Sequence, residues 1–337
     1  MKKRERISRL LWSCHGRLFS RLACLIILAL LLVWQAACAG PLRDRMIERA
    51  VDQEPSETTE EGTTFREPLS FPGGIRIMHD ISYGNNQKQT FDIYSPPEPQ
   101  SAPVIFMVHG GAWFLGDKTE RSVIENKVAR WVPRGFIVIS TNYRMLPEAD
   151  PLEQAKDVAR AVAAAQNRAA SWGGDRTRFI LMGHSAGAHL VALLATSPSI
   201  FSGIVSTPWL GVIALDSAAL DVVEIMESRH LRFYDRAFGH DPAYWREASP
   251  YDAVRSVGRP ILLVCSSRRN DSCPQASRFV AKASSFGMKA SQQQWDLSHG
   301  ELNQRLGQDL EYTEAVESFI SGLDSSVAKM LMNQSGQ

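Results

Sequence analysis

Short apolar runs alternate along most of the chain with stretches whose apolar residues recur at helical spacing. Val104 to Val108, Phe136 to Ser140, Phe179 to Met182, Val212 to Leu215 and Ile261 to Val264 are continuous aliphatic or β-branched segments, the pattern of strands buried on both faces. Ile75 to Tyr83 and Thr90 to Tyr94 predict an opening antiparallel pair, and Ala290 to Trp295 the last strand. Among the intervening stretches, Leu152 to Trp172 is rich in Ala and stopped by Gly173-Gly174, and Gln275 to Phe286 is stopped by Gly287. Alternation of this kind predicts an α/β fold, a mostly parallel central sheet flanked by helices on both faces. The segment 217–253 breaks it. Phe233, Tyr234, Phe238, Tyr244, Trp245 and Tyr251 stand there among charged residues, which predicts a small helical cap, or else aromatics packed on the sheet edge.

The N-terminus has a different pattern. Met1 to Arg21 is basic, Leu22 to Val33 is almost wholly Leu, Ile and Ala, and small residues follow from Ala36 to Gly40. An apolar run of about a dozen residues is short of the roughly 20 that a spanning helix needs, so residues 1–39 read as an export signal or, alternatively, an uncleaved anchor. Cleavage after Ala39 and lipid attachment at Cys38 are both open. Residues 40–70 are polar and acidic with almost nothing to bury, as a flexible linker would be. The catalytic domain is expected at 71–325 and a C-terminal tail at 326–337. The protein is therefore expected outside the cytoplasm, periplasmic or membrane-anchored.

With 337 residues, 44% of them hydrophobic, the chain can bury a full core. Its 37 Lys and Arg against 36 Asp and Glu give no electrostatic reason to bind nucleic acid, and that class is excluded. Of five cysteines, only Cys265 and Cys273 lie in the folded part, where an oxidising compartment would permit a disulfide. No His, Cys, Asp or Glu cluster has metal-ligand spacing, and no metal or cofactor is expected.

Two short motifs carry chemistry. Gly183-His184-Ser185-Ala186-Gly187 follows an apolar run and precedes the helical stretch Ala188 to Thr196, the context of a tight turn that presents a serine hydroxyl at a strand end. His109-Gly110-Gly111-Ala112-Trp113 follows the strand Val104 to Val108. Glycines there let backbone N–H groups approach an anion, so Gly110, Gly111 and Ala186, the residue after the serine, are the expected oxyanion donors. A nucleophilic serine needs a base and an orienting acid. Past Ser185 the histidines are His189, His230, His240 and His299; His299, after the last strand, is the expected base. Asp271, shortly after the strand Ile261 to Val264, is the expected acid, with Asp216 as runner-up and Asp296 too near His299 in sequence. His109 is expected to hold the oxyanion loop by hydrogen bonds and His184 to pack under the turn, whereas Trp113 either lines an acyl pocket or braces the loop.

These motifs, with Asn142-Tyr143-Arg144 and Ser298-His299, resemble the hormonesensitive-lipase-like and kynurenine-formamidase-like branch of the α/β-hydrolases. The resemblance implies that fold, a small or aryl carboxylic ester as substrate, sometimes an N-formyl amide, and no metal or cofactor. The acid loop departs from the family pattern: Ser267 to Pro274 is unusually basic and lacks the Gly-rich lead-in. The expected function is a serine carboxylesterase working through an acyl-enzyme on Ser185. The alternatives are an arylformamidase or related amide hydrolase, and a surface binding protein that kept the fold without catalysis.

Overall fold

The computed structural model describes residues 71, 74–197, 200–217 and 219–332; the expected signal, the lipidation candidate Cys38 and the linker lie outside them. The five apolar runs and the three other predicted strand segments become eight strands in one sheet: β1 (Arg76–Ser82), β2 (Thr90–Ser95), β3 (Ala102–Val108), β4 (Ile137–Thr141), β5 (Gly174–His184), β6 (Gly211–Leu215), β7 (Ile261–Ser266) and β8 (Ala290–Trp295). Their order is β1-β2-β4-β3-β5-β6-β7-β8, and only β2 runs against its neighbours. The opening antiparallel pair and the parallel remainder are as the pattern predicted.

Helices cover both faces. They are α1 (Arg121–Trp131), α2 (Pro151–Arg168), α3 (Ala186–Thr196), the short α4 (Val222–Glu227), α5 (Arg232–Phe238), α6 (Pro242–Glu247) and α7 (Pro250–Ala253), then α8 (Ser272–Ser285), α9 (His299–Gln304), α10 (Leu310–Ser321) and α11 (Ser325–Met332). Side chains alternate along each strand, so Val104, Phe106 and Val108 pack with α2, α3 and α8, while Ile105 and Met107 pack with α1, α9, α10 and α11. Every residue of α3 is buried, as expected of a helix apolar all round. The Ala-rich α2 ends at Arg168, continues as a 3-10 turn over Ala169–Trp172, and stops at Gly173 in the left-handed conformation.

One boundary needs correction. Residues 326–337 were expected as a tail, yet α11 runs to Met332, because Val327 and Leu331, four apart, share one face and are buried against the core. The segment 217–253 holds the four short helices α4 to α7, as the cap reading expected. Three of its six aromatics pack on Trp113: that ring lies 4.9 Å from Phe238, 5.9 Å from Tyr234 and 6.3 Å from Phe233. Among the described residues, no helix is long and apolar enough to cross a membrane.

Candidate active site

The strand register brings the chemistry together. Val108 of β3 pairs with Gly183 of β5, His184 of β5 with Leu215 of β6, and Leu215 with Val264 of β7. The residues that follow, His109-Gly110, Ser185 and Asp216, therefore leave the sheet side by side at its C-terminal edge. Main-chain bonds extend the pairing past the strand ends: Ser185 N–H donates to Leu215 O at 3.0 Å, and Asp216 N–H to Val264 O at 2.7 Å.

Ser185 has φ 54° and ψ −118°, a conformation a side-chain-bearing residue adopts only when its surroundings force it. The elbow glycines supply that force. A Cβ on Gly183 would stand 2.3 Å from Gly187 O, and one on Gly187 would stand 2.3 Å from Val108 O. Strand, turn and helix touch at backbone distance, and the serine is lifted out of the sheet, partly exposed at the head of α3.

The oxyanion loop turns just as sharply. Gly111 has φ 105°, and a Cβ there would meet Leu115 O at 2.2 Å. Its carbonyl accepts the Phe114 and Leu115 N–H groups, closing the loop. Gly110 lies against the nucleophile: a Cβ on it would be 3.0 Å from Ser185 Cβ. Ala186 is the first residue of α3, so its N–H is one of those that a helix start leaves without an intrahelical partner. Gly110 and Ala186 thus flank the serine, and Gly111 makes the turn that follows Gly110.

Two buried histidines brace this arrangement. His109, wholly buried, stacks on Tyr143 at 4.5 Å, its Nδ1 is 2.7 Å from Gly110 O, and the Tyr143 hydroxyl donates to His109 O at 3.0 Å. His189 links loop to cap. Trp113 Nε1 donates to its Nδ1 at 3.2 Å, which leaves Nε2–H to donate to Ala248 O at 2.7 Å. Burial lowers both histidines to about 4, so both rings are neutral near pH 7. Trp113, only 3% exposed, braces the loop.

His299 stands at the first position of α9, behind a capping box in which the Ser298 hydroxyl accepts from Glu301 N–H and the Glu301 carboxylate accepts from Ser298 N–H. Its carbonyl is 3.0 Å from His184 Nε2, and the two rings are 4.5 Å apart, which ties the base to the residue before the nucleophile. His184, expected to pack under the turn, is buried against His299.

The expected acid is corrected. His299 Nδ1 is 2.6 Å from Asp216 Oδ2, whereas Asp271 is half exposed and is held by Arg269 Nε and Nη2 at 3.2 and 3.1 Å. The reason is length. β7 runs on to Ser266, so Asp271 lies well past the sheet edge at the start of α8, and Arg269 fills the space between it and the triad. Asp216, by contrast, follows β6 directly. Its fully buried carboxylate accepts Ser266 N–H at 2.8 Å and the Ser272 hydroxyl at 2.5 Å on Oδ1, and Arg269 Nη1 at 3.0 Å on Oδ2. Burial alone would push this carboxyl up; the His299 hydrogen bond, the Arg269 charge and the Ser272 hydroxyl outweigh it and hold Asp216 ionised, well below the usual carboxylate range. Sequence reasoning had no signal for Arg269 beyond the basic character of the loop.

Cys265 and Cys273 form a disulfide with Cα atoms 5.1 Å apart, closing the loop that carries Arg269 and Asp271. Among the described residues, no group of three or more His, Cys, Asp or Glu side chains could hold a metal ion.

The BD-FAE family model matches residues 91–205, which include the oxyanion loop and the elbow. The esterase LipQ of Mycobacterium tuberculosis is 31% identical over 201 residues, covering 55% of this chain and 47% of that protein. A probable isoprenylcysteine alpha-carbonyl methylesterase of Oryza sativa is 30% identical over 135 residues, 37% of this chain and 32% of its own length. The chain thus spans less than half the length of these two relatives. Esterase B from Lactobacillus rhamnosis, solved with a tributyrin phosphonate inhibitor, superposes with a TM-score of 0.65 at 19% identity, over 92% of this chain and 99% of its own.

Proposed function

We propose that this chain, whose mostly parallel sheet and flanking helices form the α/β-hydrolase fold, is a serine carboxylesterase hydrolysing small or aryl carboxylic esters. The observation that carries this reading is the 2.6 Å contact between His299 and a buried, ionised Asp216 at the same sheet edge as the strained elbow serine. Fold alone would not carry it. Ester hydrolysis by LipQ, by the plant methylesterase and by esterase B, as their names state, supports the same chemistry.

The reaction follows from the geometry. Asp216 accepts the Nδ1–H of His299 and so leaves Nε2 bare to take the Ser185 proton. Ser185 Oγ adds to the ester carbonyl, and the oxygen that becomes negative is stabilised by N–H groups of the Gly110-Gly111 loop and of Ala186. The imidazolium returns its proton to the departing alcohol, leaving an acyl group on Ser185. Water, deprotonated by the same histidine, then adds to the acyl-enzyme and releases the acid. All of these groups belong to the chain itself.

Export belongs to the same proposal, as a periplasmic or membrane-anchored enzyme. The Cys265–Cys273 disulfide supports it, because such bonds persist in oxidising compartments.

A panel of p-nitrophenyl esters of increasing acyl length, run beside feruloyl esters and N-formyl aryl amides, tests the substrate class. Turnover highest on short or aryl esters is expected. Preference for the N-formyl amide would make the enzyme an amidase of the same fold, and no turnover of any of them would favour a binding protein.

A further inference from the structure

We infer that Arg269 is a positioning residue that competes with His299 for the triad carboxylate, and that Asp271, drawn to the other side of the same guanidinium, sets how strongly it competes. This rests on Ser185, His299 and Asp216 acting as a hydrolytic triad. The observation is a crowded nitrogen. His299 Nδ1 lies 2.6 Å from Asp216 Oδ2 and 2.8 Å from Arg269 Nη1, and that Nη1 is itself 3.0 Å from Oδ2 and 3.2 Å from Asp216 O. A guanidinium only donates, and one ring nitrogen cannot both donate to a carboxylate and accept from an arginine. With a proton on Nδ1, the Asp216 bond forms and Nε2 is free to act as base. With Nδ1 bare, the Arg269 bond forms and the proton sits on Nε2, the wrong tautomer for taking the Ser185 proton.

Asp271 bears on that choice without touching His299. It binds the Nε and Nη2 edge of the guanidinium, leaving Nη1 to reach the triad, and the Cys265–Cys273 bond closes the loop that holds both residues. Arg269 also places a permanent positive charge 2.8 Å from the ring, which its replacement would take away. The other titratable groups near the ring and Arg269 are Asp216 at the end of β6, His184 from the elbow and Tyr234 of α5, whose phenol feels the Arg269 charge. Farther out on α9, Glu301 is paired with Arg268 and does not reach Nδ1. Arg269, which reaches His299 Nδ1, and Asp271, which holds the far edge of the guanidinium, are thus a charged pair beside the Nδ1 side of the triad.

The test is the pH dependence of fluorophosphonate labelling of Ser185, which needs no knowledge of the natural substrate, followed by kcat/KM on the best p-nitrophenyl ester. Arg269→Met should move the acid limb of both profiles to higher pH, by about one unit for a single charge lost at hydrogen-bond distance. Asp271→Asn releases the guanidinium towards Nδ1, and should move the limb to lower pH and reduce the plateau several-fold. Opposite displacements are the signature, since a merely structural role would reduce both plateaus and leave both limbs in place. Limbs unmoved, or moved the same way, would overturn the inference. Should Arg269→Met fail to fold, the exposed Asp271→Asn alone decides by whether its limb moves down. Absence of labelling in the unsubstituted protein at every pH would overturn the hydrolase reading itself, and this inference with it, before either variant is made.

Discussion

The elbow with its oxyanion loop and the loop from Ser266 to Cys273 face each other across one sheet edge, but they are built on different principles. The first is fixed by sterics. Gly111, Gly183 and Gly187 stand where a single Cβ would come within 2.2 to 2.3 Å of a carbonyl oxygen, so backbone contact alone dictates what the sequence must be. The second is fixed by charge. Arg269 lies between two carboxylates, and which of them meets His299 depends on how far β7 extends before the chain turns. Steric constraints leave a local signature in sequence, whereas an arrangement of charges drawn from the ends of two strands leaves little.

The sharpest way to break this comparison is to remove each carboxylate in turn. Asp216→Asn should lower kcat by about four orders of magnitude, the loss that follows when the histidine is left in the wrong tautomer. Asp271→Asn should cost less than tenfold at the pH optimum by stopped-flow or steady-state assay, since it acts only through Arg269. A loss at Asp271 equal to that at Asp216 would return the orienting role to the loop. On the steric side, Gly111→Val should reduce turnover by about a hundredfold or more through loss of oxyanion donors. Normal turnover in that variant would place the oxyanion donors elsewhere.

Smaller effects concern what holds the two regions. Replacing Cys265 and Cys273 together by Ser removes the cross-link around the acid loop and should cost about 2 to 3 kcal/mol in denaturant unfolding. Turnover should fall only a few-fold, because Ser266, whose N–H binds Asp216, is also held by the β7–β8 pairing. Loss of activity comparable to Asp216→Asn would show that the loop, not the strand end, carries the acid. Stability should also respond to pH. His109 and His189 take up protons near pH 6.5 when unfolded but only near 4 when folded, so their contribution is complete above about 6.5 and falls as pH drops towards 4. Thermal midpoints measured from pH 7.5 down to 4.5 should decline, and decline less in His189→Gln. A flat profile would mean that these rings are not buried as neutral groups.

The legibility of the fold follows the same division. Continuous apolar runs marked the five strands from β3 to β7 except for their ends, and the pairing of the two glycine motifs pointed to Ser185 and the loop around Gly110 and Gly111 as neighbours at one sheet edge. His299 was reached because Ser298-His299 follows a strand and precedes a helix. The acid was misplaced at Asp271 because spacing after a strand was the guide, while β7 extends two residues past its apolar core and carries the loop outward. The cap was recognised from its aromatics, but its attachment to Trp113 through His189 joins residues more than fifty positions apart, and no local pattern encodes that. The helix α11 was missed because the segment that carries Val327, Met330 and Leu331 is only eight residues long, two turns of helical pattern.

The central claim is that Ser185 is an activated nucleophile. Its most direct test is intact-protein and peptide mass spectrometry after brief exposure of the folded protein to a fluorophosphonate at neutral pH. Expected is a single adduct, mapped to the peptide that contains Ser185, absent from Ser185→Ala and from heat-denatured protein, with ester turnover lost in proportion to adduct formed. No adduct on the folded protein, or an adduct elsewhere with turnover abolished, would contradict it.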